Sequence, residues 1–157
     1  MEIIIIKGES DVGKTTTAAM LHNELVDNYA AIVQWMMLDL GRFPLREEDL
    51  IPDFRSVLKC KGRTIGIISH GDTSTYLRGF IEEMTKYFFP DILIICANNK
   101  EYIWNMLRRK FGEHIKDGNI FEITSEQKSE ILSEKLTVKQ KRVNEIINKI
   151  ELLVSKK

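Results

Sequence analysis

Met1-Glu-Ile-Ile-Ile-Ile-Lys-Gly8-Glu-Ser-Asp-Val-Gly13-Lys14-Thr15-Thr16-Thr17 is the stretch from which the rest of the chain is read. Ile3 to Ile6 is apolar without alternation, the pattern of a central strand buried on both faces. Gly8, Gly13, Lys14 and Thr15 then meet the spacing G-x-x-x-x-G-K-[ST]. Ala18, Ala19, Leu21, Leu25 and Val26 follow at helical spacing up to Asp27-Asn28-Tyr29. Strand, glycine loop and helix in this order build an anion nest. The glycines let the backbone curl so that successive N–H groups point inward, and the helix start adds its own N–H groups and positive dipole end.

On these residues the chain resembles the P-loop NTPases, and the resemblance is specific over the loop alone. It implies that Gly8, Glu9, Ser10, Asp11, Val12, Gly13, Lys14, Thr15 and Thr16 bind the phosphates of a nucleotide. It further implies that Lys14 reaches the β- and γ-phosphates as a catalytic charge, and that the Thr15 hydroxyl ligates Mg²⁺. Asn99-Lys100-Glu101-Tyr102 fails the guanine-reading Asn-Lys-x-Asp at its last position, so ATP is the expected nucleotide.

A length of 157 residues suits one domain, read as an α/β nucleotide-binding core over 1–124 and a C-terminal helical region over 125–157 packed on it. Lys plus Arg and Asp plus Glu both number 23, so no global field draws in nucleic acid or an anionic membrane. Cys60 and Cys96 make neither a C-x-x-C nor a metal cluster, which predicts two reduced thiols in a cytoplasmic protein. Four isoleucines before Lys7 are too few for a signal segment or a membrane span.

Further along, Ala30 to Leu38 reads as a strand with Asp39 just past its end, where α/β sheets bind ligands. Gly41 to Phe54 holds Pro44, Pro52 and many charges, and reads as a loop with a short helix starting at Pro44. Phe54 to Leu58 and Thr64 to Ser69 flank a glycine-bearing turn as a hairpin. Its first strand is expected at the antiparallel edge and its second beside strand one. A helix through Leu77, Phe80, Ile81 and Met84, a strand over Ile92 to Cys96, a helix over Glu101 to Phe111 and a strand over Asn119 to Ile123 complete the core. Thr124 to Gln127 has capping-box spacing. The expected fold is a three-layer α/β sandwich of the P-loop kind, with a mostly parallel five-stranded sheet and an antiparallel edge hairpin. Leu136, Val143 and Ile150 recur every seven residues, which suits packing on the domain or, alternatively, a homodimeric coiled coil.

The motif needs a second feature, an acid after a neighbouring strand. Ser69 stands where that carboxylate belongs, and Asp72 follows in Ser-His-Gly-Asp. Asp72 is thus the candidate catalytic and metal-side carboxylate, or else a helix cap. Asp39 is placed like the acid that orients an acceptor hydroxyl in small-molecule P-loop kinases, or is a turn acid. His70 is a candidate acid or base. Arg42, Arg46, Arg108 and Arg109 are candidates for gripping phosphate or an anionic acceptor. Two functions stay open: a Mg²⁺-dependent kinase-like phosphotransferase or ATPase with a small-molecule acceptor, and a slowly hydrolysing nucleotide switch signalling through its C-terminal helix.

Overall fold

The computed structural model describes residues 1–9, 13–39, 53–123 and 132–156, with residue 39 and residues 132–136 described by backbone alone. The short helix expected at Pro44 and the capping box at Thr124 lie outside the described residues.

Among the described residues there are six strands and four α-helices. They are β1 (Glu2–Gly8), α1 (Lys14–Asn28), β2 (Ile32–Asp39), β3 (Asp53–Cys60), β4 (Arg63–Ile68) and α2 (Ser74–Phe88), then β5 (Ile92–Asn98), α3 (Glu101–Phe111), β6 (Ile115–Ile123) and α4 (Leu132–Ser155). They form one α/β sheet of order β2-β3-β4-β5-β1-β6. β1 runs parallel to β5 and β6, β4 parallel to β5, and β3 antiparallel to both β2 and β4. β3 is therefore the one strand reversed in a mixed sheet of six, against the five expected.

Two placements differ from the sequence reading. The outer strand is β2, not the first strand of the hairpin, and Thr64 to Ser69 lies beside β5, not beside β1. β4 and β5 are joined by a single helix, and parallel strands so joined tend to be neighbours. β5 is buried at all seven positions and takes the place next to β1. β3 is buried at six of its eight positions and so needs a neighbour on each side, whereas Ile32, Val33, Met36, Met37 and Leu38 of β2 are exposed. The turn between β3 and β4 is shorter than expected. Lys61 and Gly62 both have positive φ (48° and 80°), the backbone twist that a two-residue hairpin favours.

Alternation along β1 divides the core. Ile4 and Ile6 pack with Ala18, Leu21 and Leu25 of α1 and Val143, Ile146 and Ile150 of α4. Ile3 and Ile5 pack on the opposite face with Leu77 and Ile81 of α2 and Ile103 and Leu107 of α3. Two helices thus cover each face. All four isoleucines have no exposed surface, and burying each contributes about 1.5–3 kcal/mol. α2 starts at Thr73, whose hydroxyl accepts from the Tyr76 N–H, and stops at Phe89 in the left-handed region before Pro90.

Candidate functional site

The glycine loop leaves the sheet at the carboxyl ends of its parallel strands. Gly8 is the last residue of β1, in register with Asn98 of β5 and Ile123 of β6, and its carbonyl accepts from the Asn99 N–H at 3.0 Å. Gly13 leads into α1 with φ of 95°, a conformation that side chains with a Cβ resist. Ser10, Asp11 and Val12 lie outside the described residues. Glu9 is exposed, and Thr16 is half-buried in the first turn of α1.

Lys14 opens that helix and is buried. Its ammonium donates to the carbonyls of Gly8 at 3.1 Å and Glu9 at 2.5 Å, so the loop's own backbone holds the charge at its mouth. Thr17 donates from its hydroxyl to the Gly13 carbonyl at 2.8 Å and fastens the helix start. The end of the Lys139 side chain of α4 lies against Gly13. A Cβ on that glycine would stand 2.6 Å from Lys139 Cε and 2.9 Å from its Nζ.

The Thr15 hydroxyl donates to Oδ1 of Asp53 at 2.7 Å. Asp53 begins β3. Because β3 runs against the other strands, its amino end lies at the same sheet edge as the carboxyl ends of β1 and β5. The other carboxylate oxygen, Oδ2, is 2.6 Å from His70 Nδ1, and the Ser69 hydroxyl stands 3.5 Å from Oδ1. Burial alone would push this carboxyl up. The hydrogen bonds from His70, Thr15 and Ser69, with the charge of His70, outweigh it and hold the group below the usual carboxylate range. Ser69 is itself buried and accepts from the Phe54 N–H at 2.7 Å, which ties the two hairpin strands together beside Asp53.

Gly71 explains how His70 reaches this place. A Cβ at Gly71 would stand 1.6 Å from the Cys96 carbonyl oxygen, so only glycine lets the turn cross the backbone of β5 this closely. The Gly71 carbonyl accepts from the Asn98 N–H at 3.1 Å at that crossing. The His70 ring then meets the Tyr76 and Phe80 rings edge-on at 6.1 and 6.0 Å.

The sequence candidates are distributed unevenly around this constellation. Asp53, not Asp72, is the carboxylate on the Thr15 hydroxyl, and Thr73, not Asp72, caps α2. Asp72 is exposed, its carbonyl lies 3.5 Å from the Tyr102 hydroxyl, and its charge is felt by the buried Cys96 thiol below the loop. Asp39 ends β2 within the strand, and its Cα is the register partner of Asp53. Arg108 and Arg109 are exposed in the last turn of α3, next to the start of β6, where Ile115 pairs with Ile3 at the far end of β1. Arg109 lines a cavity with Ser74, Thr75, Arg78 and Tyr102, and Arg108 lies near the Trp104 ring. Arg42 and Arg46 lie outside the described residues.

Asp53 is the residue that reasoning on the sequence passed over, as one more charge in a loop. A signal for it existed. If Phe54 to Ser69 is a hairpin whose second strand joins the parallel set, the first strand starts at the edge where the parallel strands end, and an acid at its beginning is placed like one after a parallel strand.

Thr15 and Asp53 offer hard oxygen donors within hydrogen-bond distance of each other, a set that fits Mg²⁺, which keeps several waters and takes few protein ligands. By accepting the threonine proton, Asp53 leaves the hydroxyl lone pairs turned outward for an ion. Among the described residues no three His, Cys, Asp or Glu gather into a denser metal site. No helix among them is long and apolar enough to cross a membrane. Comparison with protein-family models, curated proteins and solved structures gives no match for this chain.

Proposed function

We propose that this chain is a P-loop protein that binds ATP with Mg²⁺ and transfers the terminal phosphoryl group, as a kinase-like phosphotransferase or an ATPase. One observation carries the reading. Lys14 and the Thr15–Asp53 pair stand side by side at the mouth of a glycine loop, a charge for phosphate oxygens next to an oxygen set for a hard cation. Mg²⁺, when bound by Thr15 with Asp53 behind it, supplies neutralisation of the phosphate charge. Lys14 stabilises charge building on the transferring group. His70, held through Nδ1 by Asp53, has Nε2 as the atom that takes the proton of an attacking hydroxyl or water, a base fixed by a carboxylate. Asp39, opposite Asp53 in the sheet register, is the candidate to orient an acceptor.

Incubation with ATP and Mg²⁺, with and without a panel of nucleosides and small metabolites, tests the reaction through ADP formation. ADP that appears only with an acceptor identifies a kinase, and acceptor-independent turnover an ATPase. Lys14→Ala is expected to lower ATP affinity at least about tenfold with the fold retained, because its charge meets phosphate and not apolar core. Titration calorimetry on the two proteins measures this, and equal affinity removes the nucleotide assignment. A second reading, a slowly hydrolysing nucleotide switch that signals through its C-terminal helix, is favoured by one contact, that of Lys139 with Gly13.

A further inference from the structure

We infer that the cleft between α2 and α3 binds a small phosphomonoester, with Arg78 and Arg109 as the cations that grip its phosphate and Tyr102 as the wall for its organic part. The inference goes beyond the nucleotide reading and does not rest on it, since no residue of the cleft belongs to the glycine loop.

The cleft follows from helical spacing. Residues three and four apart share a helix face, and α3 turns Tyr102, Asn105, Met106 and Arg109 to the cleft, while α2 faces them with Ser74, Thr75 and Arg78. The neighbouring rows of the same helices, Leu77 and Ile81 on α2 and Ile103 and Leu107 on α3, are sunk in the core and fix the two walls. Between the walls stays an open volume of about 290 Å³. That is close to the lower end of the range for small-molecule sites, about 300–1,000 Å³. Among the described residues that line it, Met106 is the one apolar side chain, and it is buried as the floor. The others each bring a hydroxyl, an amide or a guanidinium.

Charge selects the ligand. Two guanidinium groups share the cleft, and among the described residues no carboxylate lines it. Arg78 meets Glu82 one turn further along α2, through Nε alone at 3.5 Å, a weak tether between exposed groups that leaves the fork of terminal nitrogens to other partners. Arg109 has no ion pair or hydrogen bond among the described residues. The cleft therefore holds positive charge that the protein itself does not balance. A guanidinium fork matches two oxygens of a phosphate, and a phosphomonoester carries close to two negative charges at neutral pH, one for each arginine. The Ser74 and Thr75 hydroxyls add donors from the first turn of α2, where the leading N–H groups have no partner within the helix. Tyr102 gives the organic part an aromatic face. Its ring is half exposed, and its hydroxyl stands 3.5 Å from the Asp72 carbonyl, which steadies it across the approach to α2. Asn105, next along α3, offers both a donor and an acceptor to hydroxyl groups of a sugar or glycerol.

The test uses the full chain. Phosphorylated glycerol, phosphorylated glucose and adenosine monophosphate are titrated calorimetrically into wild type, Arg78→Gln, Arg109→Gln and Lys14→Ala, with inorganic phosphate and succinate as comparison anions. At least one monoester is expected to bind wild type more tightly than inorganic phosphate does, because Tyr102 and Asn105 add contacts to its organic part. Each glutamine variant should bind that monoester about tenfold more weakly with a melting temperature near wild type, since both arginines are exposed. Lys14→Ala should bind it like wild type, which separates the cleft from the glycine loop. Tyr102→Ala should weaken the monoester and leave inorganic phosphate unchanged. Monoester binding that disappears in Lys14→Ala and survives in both glutamine variants overturns the inference, since the phosphate then sits in the loop. Succinate bound as tightly as the best monoester overturns the phosphate class, and a wild-type protein that binds none of the three overturns the site. None of these outcomes touches the nucleotide reading, which stands or falls on ATP.

Discussion

Asp53 concentrates most of the chemistry that a single residue can hold here, since one carboxylate meets Thr15, His70 and Ser69. Asp53→Asn keeps the shape and an acceptor for the threonine but removes the charge and the second acceptor facing His70. The change is expected to cost about 1–3 kcal/mol of stability, as for hydrogen bonds to a charged group. It should also abolish most of the Mg²⁺-dependent part of ATP affinity while leaving binding in EDTA. Asp72→Asn, at an exposed position, should leave the melting temperature near wild type, and parallel melts and titrations of the two variants separate the carboxylates. The pH dependence follows from the direction of the shift. The folded state holds the Asp53 carboxyl below its unfolded value, so its stabilising contribution is complete above about pH 4 and is lost as pH falls through the folded value. Urea melts between pH 7 and 3 should show this acid-side loss in wild type and a smaller one in Asp53→Asn. Identical acid limbs would remove Asp53 from the account.

At the scale of elements, α4 packs through Val143, Ile146, Ile147 and Ile150. Val143 has no exposed surface and packs in the cluster that contains Leu21, Leu25, Ile4 and Ile6. Val143→Lys places an unpaired charge there and should destabilise by on the order of 3 kcal/mol or more, seen as a lower melting temperature with no change of mass in sedimentation. A folded monomer obtained from a wild-type dimer would instead make the stripe an intermolecular seam. Helices α1, α2 and α3 were legible from their apolar spacing and stops, because those signals lie within a few residues of one another. The strands were legible as strands but less so in extent. β6 starts four residues earlier than its apolar run, since Ile115 pairs with Ile3 across an irregular register that no local pattern announces.

The sheet as a whole puts β5 at its centre, with β4 on one side and β1 on the other, and this has a chemical consequence. Cys96 in β5 has no exposed surface and burial drives its thiol well above the ordinary range, while Cys60 at the end of β3 is also buried but by less. Both thiols should react with an alkylating reagent in denaturant, and in the native protein Cys60 should label first, with Cys96 reacting only at the rate of global unfolding. Mass spectrometry of the time course resolves the two sites, and equal native rates would contradict the central place of β5. The strand over Ile3 to Ile6 and the start of α1 at Lys14 were legible without any structure, because apolar run, glycine spacing and helix start are contiguous in the sequence. The class of the fold followed for the same reason. The order of the strands did not, since β1, β4 and β5 are all apolar enough for the interior, and their neighbours are chosen by crossovers and by burial on two sides. The partners of the loop did not either. Thr15 and Asp53 are 38 residues apart and Gly13 and Lys139 further still, so their meeting depends on a reversed strand and a packed terminal helix, which come into being only when the sheet is assembled.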